Sequence, residues 1–284
     1  MRGELFHFYK KYINDITEKA VNPDKRRYAV AQEGGRHYLD ADHYEKALPF
    51  DTIPHNWDQA VKKFTKDTLL EYGILPWYLK QFKSKLTEAF EQKNVYQIIK
   101  LSADMGHYCA DLHVPLHSTI NYNGQFTNQR GIHSLFESRM YELYRNNYDF
   151  ITNKAKYIEN LDSAIWYRFS QSFAAKDSVF LFEKVVSKKL PDKFVLKTKG
   201  KNTTKVYHKE FCNYYNMLLN GMIERRIRAS IEFVGSMWLT CWIDAGQPDL
   251  SNLDYTEPDK TEDTPKKEID KLMKKGKIKG RTDD

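Results

Sequence analysis

The chain has 284 residues, of which 41% are hydrophobic, enough to bury a core in one large domain without covalent cross-links. Its three cysteines, Cys109, Cys212 and Cys241, are too few and too scattered for a disulfide framework, and the lack of a long apolar run excludes a membrane-spanning helix. The formal charge of +7 would attract phosphate-bearing substrates, lipid head groups or nucleic acid, but an ordinary solvated surface explains it equally well.

Helical periodicity dominates the chain and predicts an all-α fold. Apolar residues recur every three or four positions, and glycine and proline are scarce. Helices are predicted over residues 5–20, 57–72, 77–91, 132–146, 158–187 and 210–245, and one more runs from the N-cap Asn94 toward Pro115. Residues 33–54 and 119–130 contain glycine or proline with many polar residues and are predicted to be mostly loop.

Composition divides the chain into two parts. Residues 1–250 are predicted to form a single multi-helix domain. Residues 251–284 are rich in charge and poor in apolar side chains, so we expect a disordered tail. Much of the excess positive charge lies in residues 188–209.

The segment 105–139 carries a dense set of possible metal ligands. His107 and Asp111 are four residues apart, as are His133 and Glu137, and residues four apart share one face of a helix. His117 follows Asp111 by six residues. Imidazole and carboxylate donors without a thiolate suit a borderline ion such as zinc in a site that keeps a position open for water.

A single pair of this kind is weak evidence, because exposed helix faces often carry such residues. Five candidate ligands from two helices and the bend between them predict a metal site. The remaining histidines His43, His55, His113 and His208 are interpreted as non-ligands.

The run GHYCADLHVPLH followed by GIHSLFESR resembles the core of the zinc-dependent phospholipase C superfamily, which also contains the single-strand-specific zinc nucleases. The resemblance implies a helical domain of that type and hydrolysis of phosphodiesters by a cluster of zinc ions. It is strong over residues 105–139 and fair over residues 24–44. Elsewhere it rests on helical character alone.

The resemblance implies a ligand set for two zinc ions. One ion would be held by Asp24, His37, His107 and Asp111. The second would be held by a group consisting of His117, His133 and Glu137. The zinc ions would activate water to attack phosphorus, with Asp24 as a possible proton acceptor and Asp111 as the carboxylate that reaches a further ion in the family.

The chain departs from the family at its N-terminus. Members hold a third zinc with an N-terminal Trp and a nearby His, but the first tryptophan here is Trp57. His7 lies on a predicted helix and is interpreted as a non-ligand. We therefore expect Met1 to be an internal start or a truncation. Localisation stays open, and an upstream leader would make the protein secreted or periplasmic.

The sequence is compatible with three functions. The first is a phospholipase-C-like phosphodiester hydrolase, favoured because Glu137 rather than Asp closes the last pair. The second is a single-strand-specific nuclease of the same superfamily. The third is a zinc-binding protein that is inactive because it lacks the N-terminal ligands. A phosphodiester substrate is the only partner that the sequence indicates.

Overall fold

The computed structural model describes residues 3–199 and 202–255, and this part of the chain is mostly helical. Its elements follow in chain order: α1 (Gly3–Lys19), α2 (Asn22–Arg26), α3 (Ala41–Tyr44), α4 (Trp57–Phe64), α5 (Lys66–Tyr72), α6 (Leu75–Glu91), α7 (Val95–Leu112), α8 (Ile132–Ser134), α9 (Met140–Tyr144), α10 (Leu161–Lys189), β1 (Phe194–Lys199), β2 (Asn202–Tyr207), α11 (Lys209–Leu219) and α12 (Met222–Asp244). Short 3₁₀ turns lie at Gly34–Arg36, Pro115–Ser118 and Arg145–Asn147, and a π-helical turn, Leu135–Arg139, joins α8 to α9.

Helix α7 lies at the centre of the larger hydrophobic core. It packs against α1, α6 and α12, and its N-terminus is capped by Asn94, whose side-chain oxygen accepts a hydrogen bond of 3.1 Å from the Gln97 amide. The cap satisfies one of the amides that every helix leaves unpaired in its first turn. This packing fixes the axis of the helix whose last turns carry His107 and Asp111.

A smaller hydrophobic core lies between α11, the second half of α10, and the α8–α9 segment. Phe211 and Tyr215 of α11 are fully buried in it, and so is Ile132 of α8. The 29 residues of α10 extend over about 44 Å at 1.5 Å per residue, which lets one helix contribute to both cores.

Three predicted helices are interrupted. The single helix expected over residues 57–72 is wrong, because Thr65 adopts a φ of 67° and separates α4 from α5. Residues 210–245 form two helices, since Asn220 and Gly221 both adopt left-handed conformations that end α11 and start α12. Residues 132–146 are helical in pieces, with the π-helical turn in the middle.

Two features differ from the predictions of an all-α domain and a disordered tail. Strands β1 and β2 form an antiparallel hairpin, with Phe194 paired to Tyr207, where the sequence indicated only a basic segment. The described start of the tail packs against α1, since the Leu253 carbonyl accepts a hydrogen bond of 3.1 Å from Tyr12 Oη. The rest of the predicted tail lies outside the described residues, and no helix of the described part is long and apolar enough to cross a bilayer.

Candidate metal centre

Six elements of the structure bring the seven predicted ligands together. Asp24 lies on α2, His37 ends the first 3₁₀ turn, and His117 lies in the second. His107 and Asp111 face one side of α7, while His133 and Glu137 lie on α8 and in the π-helical turn. Among the described residues, two groups present ligand atoms close enough to share an ion: Asp24, His37 and His107, and His117, His133 and Glu137.

In the first group the two imidazoles lie close together, with a carboxylate from Asp24 and another from Asp111 near both. His37 Nδ1 lies 3.1 Å from His107 Nε2, and these two nitrogens lie 3.8 Å and 3.6 Å from Asp24 Oδ1. Asp111 Oδ2 is 3.0 Å from the first nitrogen and 3.4 Å from the second. Ligands at the usual zinc distances are separated by about 3.3 Å in a tetrahedral site, so His37 and His107 can share an ion with a neighbouring carboxylate.

The second group is built around one carboxylate. Glu137 Oε1 lies 3.1 Å from His117 Nε2, and Glu137 Oε2 lies 3.3 Å from His133 Nε2. The two imidazole rings are nearly parallel, with centroids 5.2 Å apart. The π-helical turn gives the chain an extra residue in this stretch, a distortion that often occurs at functional positions.

The hydrogen bond of His133 indicates that a positive charge belongs between His133 and Glu137. Its Nδ1 lies 3.2 Å from the Tyr122 carbonyl, which can only accept, so Nδ1 donates. The remaining nitrogen, Nε2, faces the Glu137 carboxylate. A neutral ring would point a lone pair at a negative oxygen, and either a proton or a bound cation between them removes that repulsion.

Asp111 lies between the two groups. Its Oδ2 faces His37 and His107, and its Oδ1 lies 3.5 Å from His117 Nδ1. Burial alone would raise the pKa of this carboxyl, but the nearby imidazoles, led by His107, lower it below the ordinary value. Asp111 is therefore the residue through which a change in one group reaches the other.

The same balance operates at Glu137. Burial opposes ionisation, yet the imidazoles of His133 and His117 hold its pKa well below the ordinary value of a glutamic acid. Asp24 differs from these carboxylates because half of its side chain is exposed. Solvent therefore reaches the first group from the side of α2.

A charged network that the sequence did not reveal lies behind His37. Arg26 binds both carboxylate oxygens of Asp104, at 2.9 Å and 3.2 Å, and approaches Glu33 at 3.5 Å. Tyr108 Oη donates to Glu33, whose Oε1 lies 3.8 Å from His37 Nε2. Glu33 is completely buried. Glu33 lies 75 residues from Tyr108, and Arg26 lies 78 residues from Asp104, so spacing along the chain did not predict this network.

An apolar groove of about 460 Å³ opens beside the second group. Glu137 lines one part of it, and the rest is formed mainly by aliphatic and aromatic side chains, which include Phe136, Phe150, Ile227 and Ile231. The sequence did not predict this groove, because its walls come from α7, the π-helical turn and α12.

The other histidines lie outside both groups, in line with their interpretation as non-ligands. His43 stacks on Tyr72, and His55 pairs with Asp162 at 2.7 Å. His113 Nδ1 donates to the Cys109 carbonyl, and burial lowers its pKa to about 3. The ring of His208 caps α11, while His7 lies exposed on α1.

The cysteines also take no part in the centre. Cys109, Cys212 and Cys241 are all buried and free. Burial raises the pKa of each thiol, which keeps it protonated and unsuited to bind metal.

Comparison of the chain with known proteins leaves the metal centre as the main guide to function. No known family profile matches the sequence, and no curated protein matches it either.

Proposed function

We propose that this protein is a zinc-dependent phosphodiester hydrolase of the phospholipase C type. The observation that carries the proposal is the approach of His37, His107 and Asp111 to mutual distances of 3.0–3.4 Å, next to a second group of three ligands. Sites with several neighbouring metal ions clamp the oxygens of a phosphate during displacement. The resemblance of residues 105–139 to the zinc phospholipase C superfamily supports the same function.

Seven side chains would hold two ions. The first ion would lie among Asp24, His37, His107 and Asp111, and the second among a group formed by His117, His133 and Glu137. Bound zinc would supply Lewis acidity, which activates water and neutralises charge that builds on the phosphate. The described residues show no third group of this kind, and the exposed His7 gives no support for one.

The side chains themselves have separate tasks. Asp24 is half exposed beside two imidazole nitrogens, so it is the carboxylate best placed to accept a proton from attacking water. Asp111 orients His37 and keeps a negative charge between the two groups. The Tyr122 carbonyl holds the His133 ring in the orientation that presents Nε2.

The apolar groove favours a lipid over a nucleic acid as the substrate. Grooves that bind single strands combine positive charge with aromatic platforms for stacking bases. Apolar side chains predominate in this groove, with Ile223, Ile227 and Ile231 on one wall, which suits the hydrocarbon part of a phospholipid. Its lining also contains aromatic side chains and Arg226, but the Arg226 guanidinium is already bonded to the His113 carbonyl and Ser172. A single-strand-specific nuclease is therefore the second candidate function.

The test combines metal analysis with two hydrolysis assays. The purified protein is expected to hold two zinc ions and to release the phosphorylated head group from a phospholipid faster than it degrades single-stranded DNA. His107→Ala and His133→Ala should each lose bound zinc, and the rate should fall by more than about a hundredfold, since loss of a residue that merely supports a ligand already costs ~10–100-fold. His7→Ala is the matched control, because His7 is exposed on α1.

Each outcome distinguishes the candidates. Full zinc content in both variants would overturn the ligand assignments. Degradation of DNA without hydrolysis of phospholipid would reverse the order of the two substrates. Zinc binding without either activity would favour an inactive zinc-binding protein.

A further inference from the structure

The β1–β2 hairpin exposes apolar side chains to solvent, because no other described element covers them. Its base is anchored, since Tyr207 is buried in the smaller core. Farther along the strands, Val195 is 45% exposed and Leu196 is 75% exposed. Because both faces of an isolated hairpin meet solvent, such residues mark a surface that another molecule can cover.

Positive charge is concentrated around these residues. Residues 188–209 hold eight lysines and a single acidic residue, Asp192, so their formal charge equals that of the whole chain. Lys193 and Lys197 form ion pairs with Glu183 and Glu142. Four other lysines in the described part of this segment are exposed: Lys188, Lys189, Lys205 and Lys209.

We propose that the hairpin docks the protein on an anionic lipid surface. Lysines near such a surface strengthen binding by about fivefold each, while an exposed leucine gains free energy by entering the boundary between head groups and acyl chains. Leu196 pairs with Lys205 across the hairpin, which places both kinds of contact at one position. A nucleic acid would bind the lysines through its phosphates but would gain little affinity from an exposed aliphatic residue.

The hairpin is joined to the helical segment that carries Glu137. Arg139 Nε donates a hydrogen bond of 3.1 Å to the Tyr207 carbonyl, and Lys197 pairs with Glu142 of α9. Arg139 follows Glu137 by two residues in the same π-helical turn. Docking through the hairpin therefore places the second group of metal ligands at a fixed position relative to the lipid surface.

Vesicle sedimentation tests this proposal with the full chain loaded with zinc. We expect binding to vesicles of phosphatidylcholine and phosphatidylserine in equal parts and little binding to phosphatidylcholine alone. Leu196→Ser should weaken the binding by about tenfold, since the serine lacks most of the apolar surface. Lys205→Glu, which changes the charge by two units, should weaken it by about thirtyfold.

Two matched controls separate docking from general effects. Ile13→Ser alters an exposed apolar residue of α1, and Lys62→Glu reverses an exposed lysine of α4; both should bind like the unchanged protein. Raising the salt to about 1 M, where charges are screened within ~3 Å, should remove most of the preference for anionic vesicles.

Several results would overturn the proposal: no sedimentation with anionic vesicles, equal sedimentation with neutral ones, or equal losses in the control variants. Binding of single-stranded DNA that Leu196→Ser leaves unchanged, without binding to vesicles, would instead identify a nucleic-acid surface. Vesicle binding is measured apart from release of the head group, so failure of the hydrolase function does not count against the docking surface.

Discussion

At the scale of single residues, Asp111 is the carboxylate that contacts both groups of the candidate metal centre. One carboxylate oxygen faces His37 and His107, and the other faces His117. The neighbouring side chains lower its pKa, so it is ionised at neutral pH and contributes negative charge to both groups. Glu137, in contrast, contacts only the imidazoles of the second group.

This difference predicts the result of two conservative substitutions. Asp111→Asn should weaken the binding of both zinc ions by about tenfold or more, because loss of an oriented carboxylate partner costs ~10–100-fold in metal affinity. Glu137→Gln should weaken one ion and leave the other nearly unchanged. Isothermal titration calorimetry with zinc measures the affinity of each variant. Asp67→Asn, at an exposed position on α5, is the control. If Asp111→Asn weakened the binding of only one zinc ion, the prediction that Asp111 serves both groups would be contradicted.

At the scale of elements, the position of His37 depends on a close contact between two chain segments. Gly73 has a φ of 93° and lies so near the segment after His37 that an added Cβ would be 2.2 Å from the Tyr38 carbonyl oxygen. Leu75 donates from its amide to the same carbonyl at 3.2 Å. The start of α6 therefore holds the loop that presents His37.

Substitution of this glycine tests the contact. Gly73→Ala should lower the free energy of unfolding by more than about 3 kcal/mol, since the strain of the left-handed region adds to a backbone collision. It should also reduce zinc binding by the first group. Gly246→Ala is matched in φ, at 80°, but its Cβ would meet nothing within 4 Å, so it should cost only about 1–2 kcal/mol. Urea denaturation measures both values, and equal losses would show that the collision is absent.

At the scale of the whole molecule, two hydrophobic cores hold the helices together. The larger core contains Trp77 and Tyr108, and the smaller contains Phe211 and Tyr215. Tyr108 also packs beside His37 and His107, but most of the buried apolar side chains belong to helices that carry no ligand. A fold with this arrangement does not depend on metal in the way that a small zinc-stabilised module does.

Chelation of zinc should therefore abolish the proposed hydrolysis while the helices persist. Each ion present at about 100 times its dissociation constant stabilises a protein by ~2.7 kcal/mol, so removal of two ions should lower the melting temperature by roughly 10–20 °C in a domain of this size. Circular dichroism at 25 °C should keep its helical signal. Unfolding at that temperature would contradict the prediction and favour a structural role for the metal.

The local parts of the fold and of the centre were predictable from the sequence. Apolar spacing indicated α1, α6 and α10, and Asn94 was predicted as the N-cap of α7 because a cap acts within three residues. The pairs His107 with Asp111 and His133 with Glu137 followed from the four-residue repeat of a helix. The sequence by itself thus determined which side chains could act together within one turn.

Only the tertiary structure decided how distant segments meet. Asp104 lies three residues before His107, on the same side of α7, but it is buried and bound to Arg26 on α2. The break at Thr65 and the π-helical turn depend on packing that outweighs local propensity, whereas the break at Gly221 follows the local preference of Asn and Gly for a left-handed backbone. Convergence of α2, α7 and the 3₁₀ turns on one centre is set by burial of apolar surface, which is a property of the assembled chain.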